Sequence, residues 1–137
     1  MKPTEHNVFV YGTLKPDGCY WPEFCAGKVD EAVPAKVRGK LYDLHVGYPG
    51  LRLSGEDWVQ GYVLHFRHEA DFLRLDELEG YHPHRPYHEN EYIRLKVAAF
   101  TPEGKSMGEV WAYEITEGML EQLKGTLIPA GDWPVGD

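Results

Sequence analysis

The chain has 137 residues, of which 42% are hydrophobic and 26% charged, and its formal net charge is −8. A chain of this length and composition fits a single domain over residues 1-137, which buries enough apolar surface to fold without metals or disulfides. The acidic balance, without a clustered basic face, disfavours nucleic acid and anionic membrane surfaces as partners. Neither a signal-peptide layout nor an apolar run approaching the roughly 20 residues of a membrane helix is visible, which predicts a cytoplasmic protein.

Alternation of apolar and polar residues is the dominant pattern along the chain. The first strand is predicted at NVFVYG, and the clearest at PAKVRGKLYDL, where Ala35, Val37, Gly39 and Leu41 alternate with charged or polar side chains. Further strands are predicted at WVQGYVLHF, EYIRLKVAAF and GEVWAYEI, which are rich in Val, Tyr, Phe and Trp. The pattern therefore predicts at least five strands.

Helical spacing occurs in few places. In EADFLRLDELEGY, Phe72, Leu75 and Leu78 recur every three residues, which predicts a main helix from Glu69 to Leu78 with Gly80 just past its end. A short helix is predicted in TEGMLEQLKG, before a tail rich in Pro and Gly. Many strands and few helices indicate an α+β fold, a compact β-barrel or strongly curved sheet with one main helix packed outside.

The segment VFVYGTLKPDG is the first candidate for a binding loop. A strand runs into Gly12, and Thr13 and Leu14 follow before the chain turns. Glycine permits backbone angles that other residues avoid, so this turn can direct consecutive N–H groups into a cavity and hold an oxyanion or a carboxylate. An ordinary turn at the end of a strand explains the same residues.

Glu79 is the candidate for acid and base chemistry. If the helix ends as predicted, its carboxylate lies at the helix C-terminus, where the macrodipole and partial burial both raise the pKa. A carboxylate with a raised pKa can accept and then donate a proton near neutral pH. The alternative is a solvated carboxylate, and that is the interpretation given to its neighbours Asp76 and Glu77.

Other chemistry finds little support in the sequence. Histidines and carboxylates cluster in the segment after the main helix, but its prolines prevent a helix that would present ligands on one face, so no metal site is predicted. The segment is instead expected to be an exposed, proline-stiffened loop. Cys19 and Cys25 are the only cysteines, and a reduced buried pair is favoured over a disulfide. The candidate ligands of the rejected metal site are His82, His84, His88, Glu89 and Glu91.

Several short motifs occur in a characteristic order. A strand followed by YGTL, then GYPGL, GYVLHF, a helix ending in LDELEG, and EYIRLKV resembles the γ-glutamylcyclotransferase-like superfamily, which includes the AIG2-like proteins and the γ-glutamylamine cyclotransferases. The resemblance covers residues 8 to 115. It implies a small mixed β-barrel with a cavity.

The same resemblance implies roles for seven residues. The binding loop would be Tyr11, Gly12, Thr13 and Leu14, the acid/base would be Glu79, and Tyr92 and Tyr113 would be aromatic residues lining the cavity. Between Glu79 and Tyr92, this chain carries the connection GYHPHRPYHEN, which is longer than in more compact members of the superfamily. This connection could cover or narrow the cavity.

The implied activity is cyclisation of a small γ-glutamyl substrate to 5-oxoproline with release of an amine, without a metal or cofactor. The alternative is a non-catalytic protein that binds a metabolite or a partner on the same fold, because a fold does not fix a function. In an enzyme, the Glu79 carboxylate should face the same cavity as the Gly12 to Leu14 amides. In a binding or structural protein it would face solvent or be held in an ion pair.

Overall fold

A computed structural model of the protein describes residues 6–134, and strands predominate in that part of the chain. Three helices and a short 3-10 turn connect the strands. The helices are α1 (Trp21–Phe24), α2 (Glu69–Leu78) and α3 (Glu117–Leu123), and the 3-10 turn is Tyr87–Glu89. The strands are β1 (Asn7–Val10), β2 (Val29–Arg38), β3 (Lys40–Asp43), β4 (Pro49–Arg52), β5 (Trp58–Phe66), β6 (Tyr92–Phe100), β7 (Ser106–Ile115) and β8 (Thr126–Leu127).

Five strands close into a mixed barrel. Their order is β1-β5-β2-β6-β7, and the barrel closes through a parallel contact between β1 and β7 at Val8 and Trp111, while the other pairs are antiparallel. A second sheet has the order β4-β3-β8. The α+β barrel predicted from the sequence is confirmed, and the second sheet adds to it.

Strand β1 is enclosed on both faces. Val8 and Val10 belong to the apolar cluster that includes Phe72 of α2, whereas Phe9 belongs to a second cluster with Val59 of β5. Burial on both faces fixes the strand firmly, since the side chains of Val8, Phe9 and Val10 are all held by close packing. The loop that follows β1 therefore begins from a rigid point.

The segment PAKVRGKLYDL forms two strands in different sheets, so its prediction as one strand is wrong. The ladder between β2 and β5 ends at Arg38 and Trp58, and from Lys40 onward β3 pairs with β4. Val37 and Leu41 are both fully buried, so the alternation continues through the change of sheet. Periodicity reports the buried face of a strand and carries no information on its hydrogen-bonding partner.

Both predicted helices are present. Helix α2 has the predicted bounds, Glu79 is its C-cap, and Gly80 follows with φ +64°, the left-handed conformation that glycine accepts at this position. Helix α3 ends at Leu123, within the predicted segment. In the part of the chain that the structure describes, no helix is long and apolar enough to span a membrane.

The two cysteines are free thiols in different environments. Cys25 is buried, and burial raises the pKa of its thiol to about 12. Cys19 is exposed, so the expectation of a buried pair is wrong. Cys19 lies in the turn that precedes α1, an element of only four residues that the sequence pattern did not reveal.

Candidate active site

A cavity of about 120 Å³ lies where β1 and α2 both end, and all seven residues singled out from the sequence line it. They come from the loop after β1, the C-cap of α2, and strands β6 and β7. The lining residues predicted from the sequence are Tyr11, Gly12, Thr13, Leu14, Glu79, Tyr92 and Tyr113.

The loop after β1 is held by its carbonyl groups. Gly12 O accepts a hydrogen bond from Lys15 N at 3.1 Å, and Thr13 O accepts one from Tyr20 N at 2.9 Å. No acceptor within residues 6–134 takes the backbone N–H groups of Thr13 and Leu14. The loop therefore has amide donors available for an anionic group of a ligand.

Gly12 is needed for space, not for an unusual backbone angle. Its φ is not positive, unlike that of Gly80, so the expected conformational reason is wrong. A Cβ at Gly12 would lie 2.7 Å from Pro49 Cδ and 2.8 Å from Pro49 Cγ. The glycine lets the loop pack directly against the start of β4, and Pro49 lines the same cavity.

A buried lysine fixes the far side of the loop. Lys15 is 5% exposed, and its Nζ donates to Asp132 Oδ1 at 3.0 Å and to the carbonyl oxygen of Trp133. These contacts join the loop to the segment that follows β8. The ion pair restricts the loop because its cation is almost completely enclosed.

The side chain of Glu79 lines the cavity, and the pKa of its carboxyl is raised. Burial is the main cause that raises the pKa of its carboxyl from 4.5 to about 8, and the charges of Glu91 and Asp76 add to the effect. Its carboxylate has no hydrogen bond or ion pair within residues 6–134. An unpaired carboxyl of this kind beside free amides fits the geometry expected of an enzyme.

Asp76 is not the solvated carboxylate expected from the sequence. Its side chain is only 14% exposed, because it is bound by Arg94 Nε at 2.9 Å and by the hydroxyl of Tyr113 at 2.6 Å. The residue lies on the inner face of α2, three positions before Glu79. Glu77 is exposed, as expected.

The cavity tyrosines use their hydroxyls to hold the wall together. Tyr11 donates to the carbonyl of Tyr113 at 2.7 Å, and Tyr92 donates to the carbonyl of Pro49 at 2.7 Å. Burial is the main cause that raises the pKa of the phenols of Tyr11, Tyr92 and Tyr113. The Asp76 carboxylate adds to the effect at Tyr113 and the charge of Glu79 adds at all three, so the phenols stay protonated. The tyrosines form walls, and the proton chemistry is left to the carboxyl groups.

Sequence reasoning missed three polar residues on the cavity wall, which are Tyr20, Tyr48 and Glu91. Glu91 is adjacent to Tyr92, and strict strand alternation would place the two side chains on opposite faces. Strand β6 begins only at Tyr92, so alternation does not apply to Glu91. The GYPGL motif, which contains Tyr48, was the available signal for a second wall of the cavity.

The long connection after α2 does not enter the cavity. None of residues 80–90 lines it, so this segment does not narrow it as the sequence suggested. Asn90, which is buried, organises the segment by accepting from His82 N at 2.9 Å and Arg85 Nε at 3.1 Å. In the described range 6–134, no three His, Cys, Asp or Glu side chains converge as ligands for a metal ion.

Comparison with known proteins gives consistent results. A family model described as gamma-glutamyl cyclotransferase, AIG2-like, matches residues 8–135. The Halalkalibacterium halodurans protein named "Putative gamma-glutamylcyclotransferase BH1612" is 36% identical over 97 residues, which cover 71% of this chain and 79% of the relative.

Two solved structures show the same fold. An AIG2-like protein from Mus musculus matches with a TM-score of 0.63 at 19% identity, covering 93% of this chain and 87% of the mouse protein. YkqA from Bacillus subtilis matches with a TM-score of 0.64 at 21% identity over 93% of this chain, which spans only 39% of YkqA. With the family model, the relative and the shared barrel in agreement, the chain belongs to the AIG2-like family of γ-glutamyl cyclotransferases.

Proposed function

We propose that the protein cyclises a γ-glutamyl amine or γ-glutamyl amino acid to 5-oxoproline and releases the free amine, with Glu79 as general acid/base. One observation carries the proposal: the unpaired carboxyl of Glu79 lines the same cavity as the free amides of the loop after β1. The alternative, a binding protein on the same fold, would not require a partly buried, unpaired carboxyl with a pKa of about 8.

The reaction needs only proton transfer and positioning. The α-ammonium of the substrate gives a proton to the Glu79 carboxylate, and the freed amine attacks the γ-carbonyl carbon to form a five-membered ring. As the bond to the departing nitrogen breaks, Glu79 donates this proton to that nitrogen. Glu79 then takes the second proton from the ring nitrogen, which leaves a neutral lactam, and passes it to the released amine, which departs as an ammonium ion. No water or external nucleophile is consumed, and one carboxyl group serves both steps.

The walls of the cavity fit the remaining tasks. The Thr13 and Leu14 amides suit either the developing oxyanion or the α-carboxylate of the substrate, and losing one oxyanion donor typically lowers the rate by about 10²–10³. Tyr11, Tyr92 and Tyr113 are rigid walls that favour the bent conformer in which the amine approaches the carbonyl. Metal independence, the single domain over residues 1-137 and a cytoplasmic location stay predictions from the sequence.

The test is formation of 5-oxoproline, followed by NMR, from a panel of γ-glutamyl dipeptides and γ-glutamylamines. Wild type is expected to form it, and Glu79→Gln to lose about 10²–10⁴ in rate. Glu77→Gln is the matched control, since Glu77 is an exposed carboxylate on the same helix, and it should retain full activity. A folded Glu79→Gln variant with full activity would contradict the assigned role, and no product across the panel would favour the binding protein.

A further inference from the structure

Among residues 6–134, two carboxyl groups line the cavity, those of Glu79 and Glu91, and the mechanism above uses only Glu79. Glu91 lies against the end of α2, where a Cβ on Gly80 would be 3.1 Å from Glu91 Oε1 and 3.2 Å from Glu91 Cβ. Its backbone is fixed there, because its N–H donates to Gly80 O at 3.3 Å and its carbonyl accepts from Thr116 N at 3.0 Å. The two acids are therefore held beside each other by the backbone.

We propose that Glu91 is a positioning residue that acts through Glu79: its fixed negative charge keeps the proton on Glu79 until the ammonium group of a substrate enters the cavity. The inference rests on the proposed function. It assigns Glu91 no direct contact with the reacting atoms.

The physical argument is the repulsion between like charges in a confined space. Two carboxylates that share a cavity cannot both ionise readily, so one of them retains its proton. The environments of the two groups differ, since the Tyr48 hydroxyl lies 3.5 Å from Glu91 Oε2, whereas no partner is found for the Glu79 carboxyl within residues 6–134. Of the two groups, Glu79 is the one whose pKa is raised, and the charge of Glu91 is the largest cause after burial.

A substrate would reverse this preference. A γ-glutamyl compound brings an α-ammonium into the cavity, and its positive charge offsets the charge of Glu91. Glu79 can then release its own proton to solvent and, as a carboxylate, accept the proton that the reaction has to remove from the ammonium. The carboxyl pair would thus make the base available when a cationic amine is present to be deprotonated.

Other charged groups near Glu79 are less suited to this role. Asp76 also raises its pKa, but Arg94 neutralises much of that charge through the 2.9 Å ion pair. Arg85 reaches the end of α2 only through Gly80 O, at 2.9 Å, and through Asn90. In the part of the chain that the structure describes, the remaining titratable groups on the cavity wall are the phenols of Tyr11, Tyr20, Tyr48, Tyr92 and Tyr113.

Direct titration of Glu79 tests the coupling independently of activity. The carboxyl ¹³C signal of Glu79, assigned by its disappearance in Glu79→Gln, is followed against pH in wild type, Glu91→Gln and Glu77→Gln. In Glu91→Gln the midpoint should move to lower pH by roughly 0.5 to 1 pH unit, since one like charge is removed. Glu77→Gln should leave it unchanged. The same midpoint in all three proteins would overturn the inference.

The pH profile of kcat/KM provides the second measurement. In Glu91→Gln the acidic limb should move to lower pH, and Glu91→Asp, which restores the charge, should return it toward the wild-type position. A higher KM at every pH with an unmoved limb would mean that Glu91 binds substrate directly, which contradicts the inference. If wild type forms no 5-oxoproline, the proposed function fails, while the NMR titration still decides whether the two carboxyl groups are coupled.

Discussion

The hydroxyl of Tyr113 donates a 2.6 Å hydrogen bond to Asp76 Oδ1 and so joins the cavity wall to helix α2 one turn before Glu79. Arg94 from β6 binds the same carboxylate at 2.9 Å. Asp76 itself does not line the cavity. The end of α2, and with it Glu79, is therefore held in place by an acid that lies behind the wall.

Removing the negative charge of Asp76 should destabilise the fold more than removing the hydroxyl of Tyr113. Asp76→Asn leaves the Arg94 guanidinium, which is 16% exposed, without its counter-ion, and loss of one partner from a buried pair costs about 3–5 kcal/mol at most. Tyr113→Phe removes one hydrogen bond to a charged group, about 1.5–3 kcal/mol. Urea unfolding measures both. Adding Arg94→Met to Asp76→Asn should recover part of the lost stability, because the unpaired guanidinium is removed. If Tyr113→Phe were less stable than Asp76→Asn, the charge of Asp76 would not be the main stabilising contribution.

Glu79 should make the protein less stable as the pH rises. Its carboxyl keeps its proton up to about pH 8 in the folded state and loses it near pH 4.5 when unfolded. Between these values the folded state binds more protons, so its free energy of unfolding falls with increasing pH, by a few kcal/mol at most. Glu79→Gln does not titrate and should exceed wild type in stability by an amount that grows from about pH 4.5 to pH 8.

Thermal unfolding from pH 4 to 9 checks this effect. Glu77→Gln serves as the control, because its exposed carboxylate should give a small difference with little pH dependence. A stability difference between wild type and Glu79→Gln that stays constant across the range would show that Glu79 has no raised pKa. The expected combination, lower activity with higher stability, is common for residues of active sites.

Gly12→Ala should disturb the binding loop through its contact with Pro49. The added methyl group would lie 2.7 Å from Pro49 Cδ, so the loop has to move, at a cost of about 1–3 kcal/mol and with loss of substrate affinity. Gly118→Ala is the matched control: its Cβ meets nothing within 4 Å, and alanine in helix α3 should stabilise by about 0.5–1 kcal/mol. Urea unfolding and KM are the measurements.

A second substitution tests whether the contact with Pro49 is the cause. Pro49→Ala removes the ring atoms in conflict and keeps the backbone carbonyl that accepts from Tyr92, so Gly12→Ala/Pro49→Ala should recover affinity relative to Gly12→Ala. If the double variant binds no better than Gly12→Ala, another property of Gly12 is responsible.

The sequence predicted those parts of the site that local patterns determine. Leu75 and Leu78 recur at helical spacing and Gly80 ends the helix, so the position of Glu79 followed directly. Interactions between distant segments were not predictable. Asp76 was interpreted as solvated because its partners, Arg94 and Tyr113, are 18 and 37 residues away.

The same limit explains Glu91 and the change of sheet after Arg38. Strand periodicity describes which face is buried, and it does not give the residue at which pairing begins or the partner strand. Glu91 precedes the first paired residue of β6, and its place in the cavity depends on its contact with the end of α2. The pattern of a single sequence therefore cannot predict the contact of Glu91 with α2 or the change of pairing partner after Arg38.

Asp132→Ala should destabilise the protein more than Lys15→Met, although Asp132 is much more exposed. The lysine Nζ is enclosed, with a side chain 6% exposed, whereas the aspartate side chain is 59% exposed. Removing Asp132 leaves an enclosed ammonium with the carbonyl of Trp133 as its remaining partner, and we expect a cost of about 1–3 kcal/mol. Methionine in place of Lys15 removes the charge and retains most of the volume, so its cost should be below about 1.5 kcal/mol.

The Asp132→Ala and Lys15→Met variants also test how the binding loop is held in place. Lys15 N donates to Gly12 O, so an unpaired Lys15 should loosen the Thr13 and Leu14 amides and raise KM in Asp132→Ala. The double variant Lys15→Met/Asp132→Ala should match Lys15→Met alone in urea unfolding, because the Asp132 carboxylate binds no side chain other than Lys15 within residues 6–134. A double variant as unstable as Asp132→Ala would mean that the effect comes from the aspartate itself and not from the ammonium that it leaves behind.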